Sequence, residues 1–128
     1  MTTQARPFLT DINELRRRAQ QDIDQGAVTD AYALDVGQVI EVLNKVLASE
    51  IVCVLRYKSH YSMARGIHAE PVAAEFKKHA AEEEAHAERV AMRIAQLNGE
   101  PNLNPDGMIS RSASQYGSGK ETLVDMIK

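Results

Sequence analysis

The chain has 128 residues, the length of one ordinary domain, and its 15 Lys plus Arg against 18 Asp plus Glu leave a formal charge of −3. That charge gives no general attraction to nucleic acid or to an anionic membrane, and the 44% apolar share excludes disorder. No stretch is apolar enough to span a membrane, MTTQARPFLT has no secretory core, and a single cysteine, Cys53, excludes an intramolecular disulfide or a multi-cysteine zinc site, so a cytoplasmic protein is expected.

With no Trp and only two Phe, the core must be aliphatic, which favours an all-α fold. A first helix is predicted from about residue 11 to 25, with Thr10 as N-cap and Gly26 as stop. Its apolar content is thin (Ile12, Leu15, Ala19, Ile23), and Arg16, Arg17 and Arg18 read as a solvated face. Residues 1–34 are therefore set apart as an N-terminal helical extension, and 35–128 as the main domain.

The second helix starts from a capping-box pattern at Asp35 and Gln38 and ends near Gly66. Val36, Val39, Ile40, Leu43, Val46, Leu47, Val54, Tyr57, Tyr61 and Ala64 recur at three- and four-residue steps along it. Pro71 fits the first turn of a third helix, whose stripe runs through Val72, Phe76, His79 or Ala80, Glu83, His86 or Ala87, Val90, Ile94 and Leu97 to the stop at Asn98-Gly99. A short connection between two long helices makes them antiparallel neighbours. Residues 100–119 read as a long crossover loop. Lys120–Lys128 opens another helix with Leu123, Val124 and Ile127 inward, and the sequence reads as stopping inside that element.

Two charged interruptions carry the chemistry. Glu50 stands seven residues from both Leu43 and Tyr57, on the apolar face of the second helix. Glu83 stands seven from Phe76 and Val90 on the third helix, with His86 three residues on. A carboxylate on a buried face costs several kcal/mol unless it is paired or bound to metal. Glu-x-x-His brings a carboxylate and an imidazole to one point, a donor set suited to iron or manganese. A lone Glu-x-x-His is common by chance, and Glu82-Glu83-Glu84 also reads as a solvated acidic run. Its coincidence with Glu50 on the inward stripe of the neighbouring helix decides for metal. Di-iron bundles need one Glu from each of two helices and a Glu-x-x-His from each of the other two, and this chain shows half of that set.

LNKVLASEIVCVLRYKSHYSMARG (43–66) and EFKKHAAEEEAHAERVAMRIAQLNGEPNL (75–103) resemble the ferritin-like superfamily, bacterioferritins in particular, over roughly residues 36–128. The resemblance implies a ferritin-like antiparallel hairpin, half or most of a four-helix bundle, with the N-terminal helix as an addition. It implies a di-iron centre with Glu50, Glu83 and His86 as ferroxidase ligands and Tyr57 as the tyrosine beside them, oxidising Fe(II) to Fe(III) for storage or detoxification. Glu84 stands where bacterioferritin has its haem-ligating methionine, which argues against haem. The second Glu and second Glu-x-x-His of the family would lie beyond Lys128, so the ferroxidase reading requires the other half-site to be supplied. The alternative is a catalytically incomplete helical module that only assembles.

Other residues carry less. His79, four before Glu83, reads either as a tentative iron ligand or as an interior histidine. Tyr57 reads equally as an electron donor and as a packed tyrosine. Cys53 reads as core, His60 and His68 as exposed near a helix end, and Met63, Met92, Met108 and Met126 as apolar filling. The half-set of ligands and an unpaired apolar strip predict a homo-oligomer built from dimers, with iron as partner and neither nucleic acid nor membrane. A nucleoid-protecting relative is disfavoured by the −3 charge and the lack of a Lys-rich tail.

Overall fold

The computed structural model describes residues 11–26, 28, 32–117 and 120–127, and among them every regular element is helical. Contacts divide the chain into two units, Met1–Leu34 and Asp35–Lys128.

The first unit carries α1, Ile12–Gln25. Its N-cap is Asp11, whose carboxylate accepts from Asn13 N at 2.9 Å; Thr10, expected in that role, lies outside the described residues. Arg17 and Arg18 both reach Glu14 along the exposed surface, at 2.7 and 3.1 Å. No residue of α1 is buried, in keeping with its sparse apolar stripe.

The second unit is built on two 28-residue helices, α2 (Val36–Met63) and α3 (Ala69–Gln96), each roughly 42 Å long at 1.5 Å per residue. Asp35 caps α2 by accepting from Gln38 N at 3.1 Å. α3 opens two residues before Pro71, which therefore sits in its first turn, where a missing N–H costs nothing. At its far end Asn98 takes the left-handed conformation (φ 64°) and Gly99 N donates to Ile94 O at 2.9 Å, a Schellman-like stop. Gly99 packs so closely on Ile40 that a β-carbon there would lie 2.9 Å from that side chain. Leu47, Ala87 and Ile94 form the seam between the helices, flanked by Ile40, Leu43, Ile51, Val90 and Ala91.

The crossover departs from the expected plain loop, since it contains a short helix, α4 (Met108–Arg111). Met108 packs with Ala48 and Val52 on another side of α2. Side chains of α2 hold the rest of the crossover alongside the helix. Asn44 Nδ2 donates to Glu100 O at 3.2 Å and its Oδ1 accepts from Asn102 N at 2.8 Å. Ser49 Oγ accepts from Ala113 N at 2.8 Å, Cys53 Sγ donates to Ser114 Oγ at 3.1 Å, and Arg56 Nη1 donates to Gln115 O at 3.0 Å. The chain is thereby led along α2 to α5, Leu123–Ile127.

Several expected orientations are corrected. In α5 Met126 is the buried residue, while Val124 and Ile127 are exposed, because five residues of helix fix no periodic face; Lys128 lies outside the described residues, as do Ser118 and Gly119 of the crossover. Met63 and Met92 are exposed, and only Met108 and Met126 of the four methionines considered serve as filling. Val46 and Tyr61 lie on the exposed margin of the α2 stripe, Tyr61 with Lys77 Nζ 5.7 Å over its ring. His60 is not exposed at a helix end: it is 3% accessible, because α3 and the α5 segment close over it. His68 is exposed, as expected.

Candidate metal centre

The seam that buries Leu47 and Ile94 also brings three charged side chains together. Glu50 projects from the middle of α2, and Glu83 and His86 from one face of α3. One ligand atom from each lies within 4.8 Å of the other two. His86 turns Nδ1 inward, 3.2 Å from Glu83 Oε2 and 3.7 Å from Glu50 Oε2. The first of these is a hydrogen bond, made within one helical turn; the second is beyond hydrogen-bond reach. Glu50 Oε2 is consequently buried without a hydrogen-bond partner.

The two carboxyl groups respond oppositely to this crowding. Burial, reinforced by the facing Glu83 carboxylate, pushes Glu50 up to about 7, with His86 pulling the other way. Glu83 is held below the usual carboxylate range, first by a hydrogen bond from Glu50 and then by His86. The two neighbouring carboxyls are thus driven apart, Glu50 toward its protonated form and Glu83 toward its ionised one. The donor set is hard oxygen plus imidazole, as iron or manganese requires, and the unpartnered oxygen of Glu50 points into the group.

Replacing Glu50 by Leu should leave the metal-free protein as stable or raise its Tm by about 4 °C, since roughly 1 kcal/mol shifts a domain of this size by that much. A calorimetric scan with chelator present checks it. A drop of several degrees would mean that Glu50 has a structural partner.

Tyr57 and His79 lie beside the group and outside it. Their rings stack at 5.4 Å between centroids, and Tyr57 also meets Phe76 at 6.2 Å. His79 is engaged by its own helix, with Nδ1 3.2 Å from Glu82 Oε2 and Nε2 3.7 Å from Glu75 Oε2. Both rings line an open groove of about 460 Å³ with Phe76, Glu75 and Met126. The α2 pegs Asn44, Ser49, Cys53 and Arg56, which position everything after residue 99, were not singled out from the sequence as a set; their partners lie 56 to 64 residues away, so no local spacing announces them.

A long antiparallel helical hairpin with Glu on one member and Glu-x-x-His on the other defines the ferritin-like class. Residues 40–128 match the family described as Ferritin, ferritin-like domain, and the chain belongs to that family. It is 41% identical over 73 residues to a bacterioferritin of Desulfovibrio desulfuricans, a match covering 56% of this chain and 40% of that protein. The fold superposes on a dodecameric thioferritin, the bacterioferritin-related protein of Bacteroides fragilis, with a TM-score of 0.70 and 32% identity over 73% of this chain and 56% of that one. Dps from Thermosynechococcus elongatus superposes with a TM-score of 0.68 and 25% identity, over 71% and 58% respectively. The chain therefore spans 40% of the bacterioferritin and somewhat over half of each solved relative.

Proposed function

We propose that this protein binds iron through Glu50, Glu83 and His86 and, in its assembled form, oxidises Fe(II) to Fe(III) for storage or detoxification. The observation that carries the reading is the convergence of these three side chains around Glu50 Oε2, which is buried without a hydrogen-bond partner among the described residues. Glu50, Glu83 and His86 would hold the iron, the carboxylates as hard oxygen donors and the imidazole as the nitrogen donor. Each Fe(II) gives up one electron, to dioxygen or to peroxide. The chain's own contribution is to hold the ligands, to release the Glu50 proton as the cation arrives, and to pack Tyr57 beside the site. The reading sets residues 1–34 apart as an extension, keeps 35–128 as the metal-binding body, and places the protein in the cytoplasm, which suits the free thiol of Cys53. Glu84, in the place of the haem-ligating methionine of bacterioferritins, argues against haem.

One hairpin supplies half of the ligands of a di-iron bundle. Val42, Val46 and Glu50 follow each other at four-residue steps, and both valines are exposed, at 58% and 37%, so among the described residues an apolar strip continues uncovered on the ligand side of α2. We place a second copy there, in a twofold pair that doubles Glu50, Glu83 and His86 and forms the unit of a larger homo-oligomer. The relative from Bacteroides fragilis is itself a dodecamer.

Anaerobic Fe(II) titration followed by admission of oxygen, with light scattering on the same sample, tests the reading. Binding near one iron per chain in a dimer or multiple of dimers, followed by the ultraviolet rise of Fe(III), is expected. An oligomer that binds no iron would instead establish the inert assembly module. A stable monomer that does not bind hydrophobic dye would overturn the assembly.

A further inference from the structure

His79 reads from the sequence either as an iron ligand or as an interior histidine, and the way its ring is held points to a third role. Both of its nitrogens are turned to carboxylates of its own helix. Nδ1 is hydrogen-bonded to Glu82 Oε2 at 3.2 Å, one turn on, and Nε2 lies 3.7 Å from Glu75 Oε2, one turn back. Neither nitrogen joins the converging group of Glu50, Glu83 and His86.

What the imidazole presents to α2 is its face. That face lies on the ring of Tyr57, with centroids 5.4 Å apart and planes at 29°. Phe76, three residues before His79, meets the same phenol ring at 6.2 Å and 32°. Both separations are those at which aromatic rings attract. Tyr57 of α2 is thus set against two rings of α3 one helical turn apart. It stands seven residues after Glu50 on the same face of α2. Burial, then Cys53 and the Glu83 carboxylate, push its phenol up, so a neutral hydroxyl stands within the field of the donor set.

We infer that His79 is a positioning residue: pinned by Glu75 and Glu82, its imidazole holds the ring of Tyr57 beside the metal ligands without itself binding iron. What the phenol is positioned for rests on the iron-oxidation reading above; the stack itself does not. Glu75 and Glu82 flank His79 at the four- and three-residue spacings at which side chains on a helix meet, so the clamp is built within α3 and needs no other element. Phe76 covers one part of the phenol ring and His79 another, and without the imidazole the ring is free to move on the side that His79 covers. A ligand histidine makes the opposite demand: it needs a nitrogen free to reach the cation, and a flat ring without nitrogen cannot replace it.

Two variants separate these roles. His79→Phe keeps a ring on Tyr57 and has no nitrogen; His79→Ala removes the ring. In anaerobic Fe(II) titration both should bind iron like the parent. On admission of oxygen, His79→Ala should oxidise bound Fe(II) roughly tenfold more slowly, within the range that loss of positioning produces, while His79→Phe stays near the parent. Tyr57→Phe should also be slow, and the double variant Tyr57→Phe/His79→Ala no slower than Tyr57→Phe alone, because His79 acts through Tyr57. NMR of the metal-free protein reads the stack by itself: the upfield ring-current displacement of the Tyr57 ring protons should shrink in His79→Ala and persist in His79→Phe. Loss of iron binding in both variants would make His79 a ligand. A His79→Phe as slow as His79→Ala, an unimpaired rate in His79→Ala or in Tyr57→Phe, or additive slowing in the double variant would each overturn the positioning role. An unchanged Tyr57 spectrum in His79→Ala would overturn the stack whatever the iron does. A parent protein that binds no iron would instead defeat the reading of the centre, and with it the purpose of the stack.

Discussion

Replacing Glu83 by alanine is expected to weaken iron binding by roughly a hundredfold or more, because removing one of three hard ligands leaves too few to compete with water for a hard cation. The variant keeps its fold, since Glu83 contributes no burial to the Leu47–Ile94 seam and its hydrogen bond to His86 is local to one helical turn. It also relieves Glu50 of the facing carboxylate that helps push it up. Anaerobic Fe(II) titration, or the visible spectrum of Co(II) as a probe of the same ligands, reads the loss. Glu84→Ala is the matched control: it removes the next carboxylate on the helix, an exposed one outside the converging group, and should bind like the parent. Equal binding by the Glu83 and Glu84 variants would defeat the assignment.

The ligands were legible in the sequence for the reason that makes them reactive. Glu50 and Glu83 interrupt apolar stripes seven residues from large hydrophobics on both sides, with His86 three residues beyond Glu83, and a charge in such a place must be explained. The hairpin was legible too, because two stripes of nearly thirty residues leave little freedom in which faces meet. His60 was not. What buries it includes α5, which is brought there by the pegs Asn44, Ser49, Cys53 and Arg56. The one sequence hint was its spacing from Cys53 and Tyr57, seven and three residues back on one face. The inward residue of α5 was missed for a different reason: one turn and a half of helix packs where tertiary contact puts it, and Met126 took the place that periodicity gave to Val124 and Ile127.

The affinity of the centre for iron should fall by up to about tenfold for each pH unit below 7 and level off above it. Burial and Glu83 push Glu50 up to about 7, so below that pH its protonated form predominates. A cation can use the buried oxygen of Glu50 only after that proton has left. Below 7 every metal bound must displace a proton; above it the carboxylate is already ionised. Glu83, held low, adds its own proton only below the ordinary carboxylate range, so the two windows are separate. The metal-free fold answers to the same group with the opposite slope. The unfolded chain releases the Glu50 proton near pH 4.5 while the folded chain keeps it to about 7. This group's contribution to apo stability is thus full below 4.5 and is lost as pH rises through 7. Metal supplies the missing countercharge, so the stabilisation by bound Fe(II) should grow over the interval in which the apo protein weakens. Competition titrations against a chelator of known proton affinity at pH 6, 7 and 8 measure the first slope, and thermal scans with and without metal the second. Glu50→Gln, which cannot ionise, should bind more weakly and lose the slope between pH 6 and 7. If the parent bound iron equally well across that interval, the proton would not be at Glu50, and the centre would have to be rebuilt around a different donor.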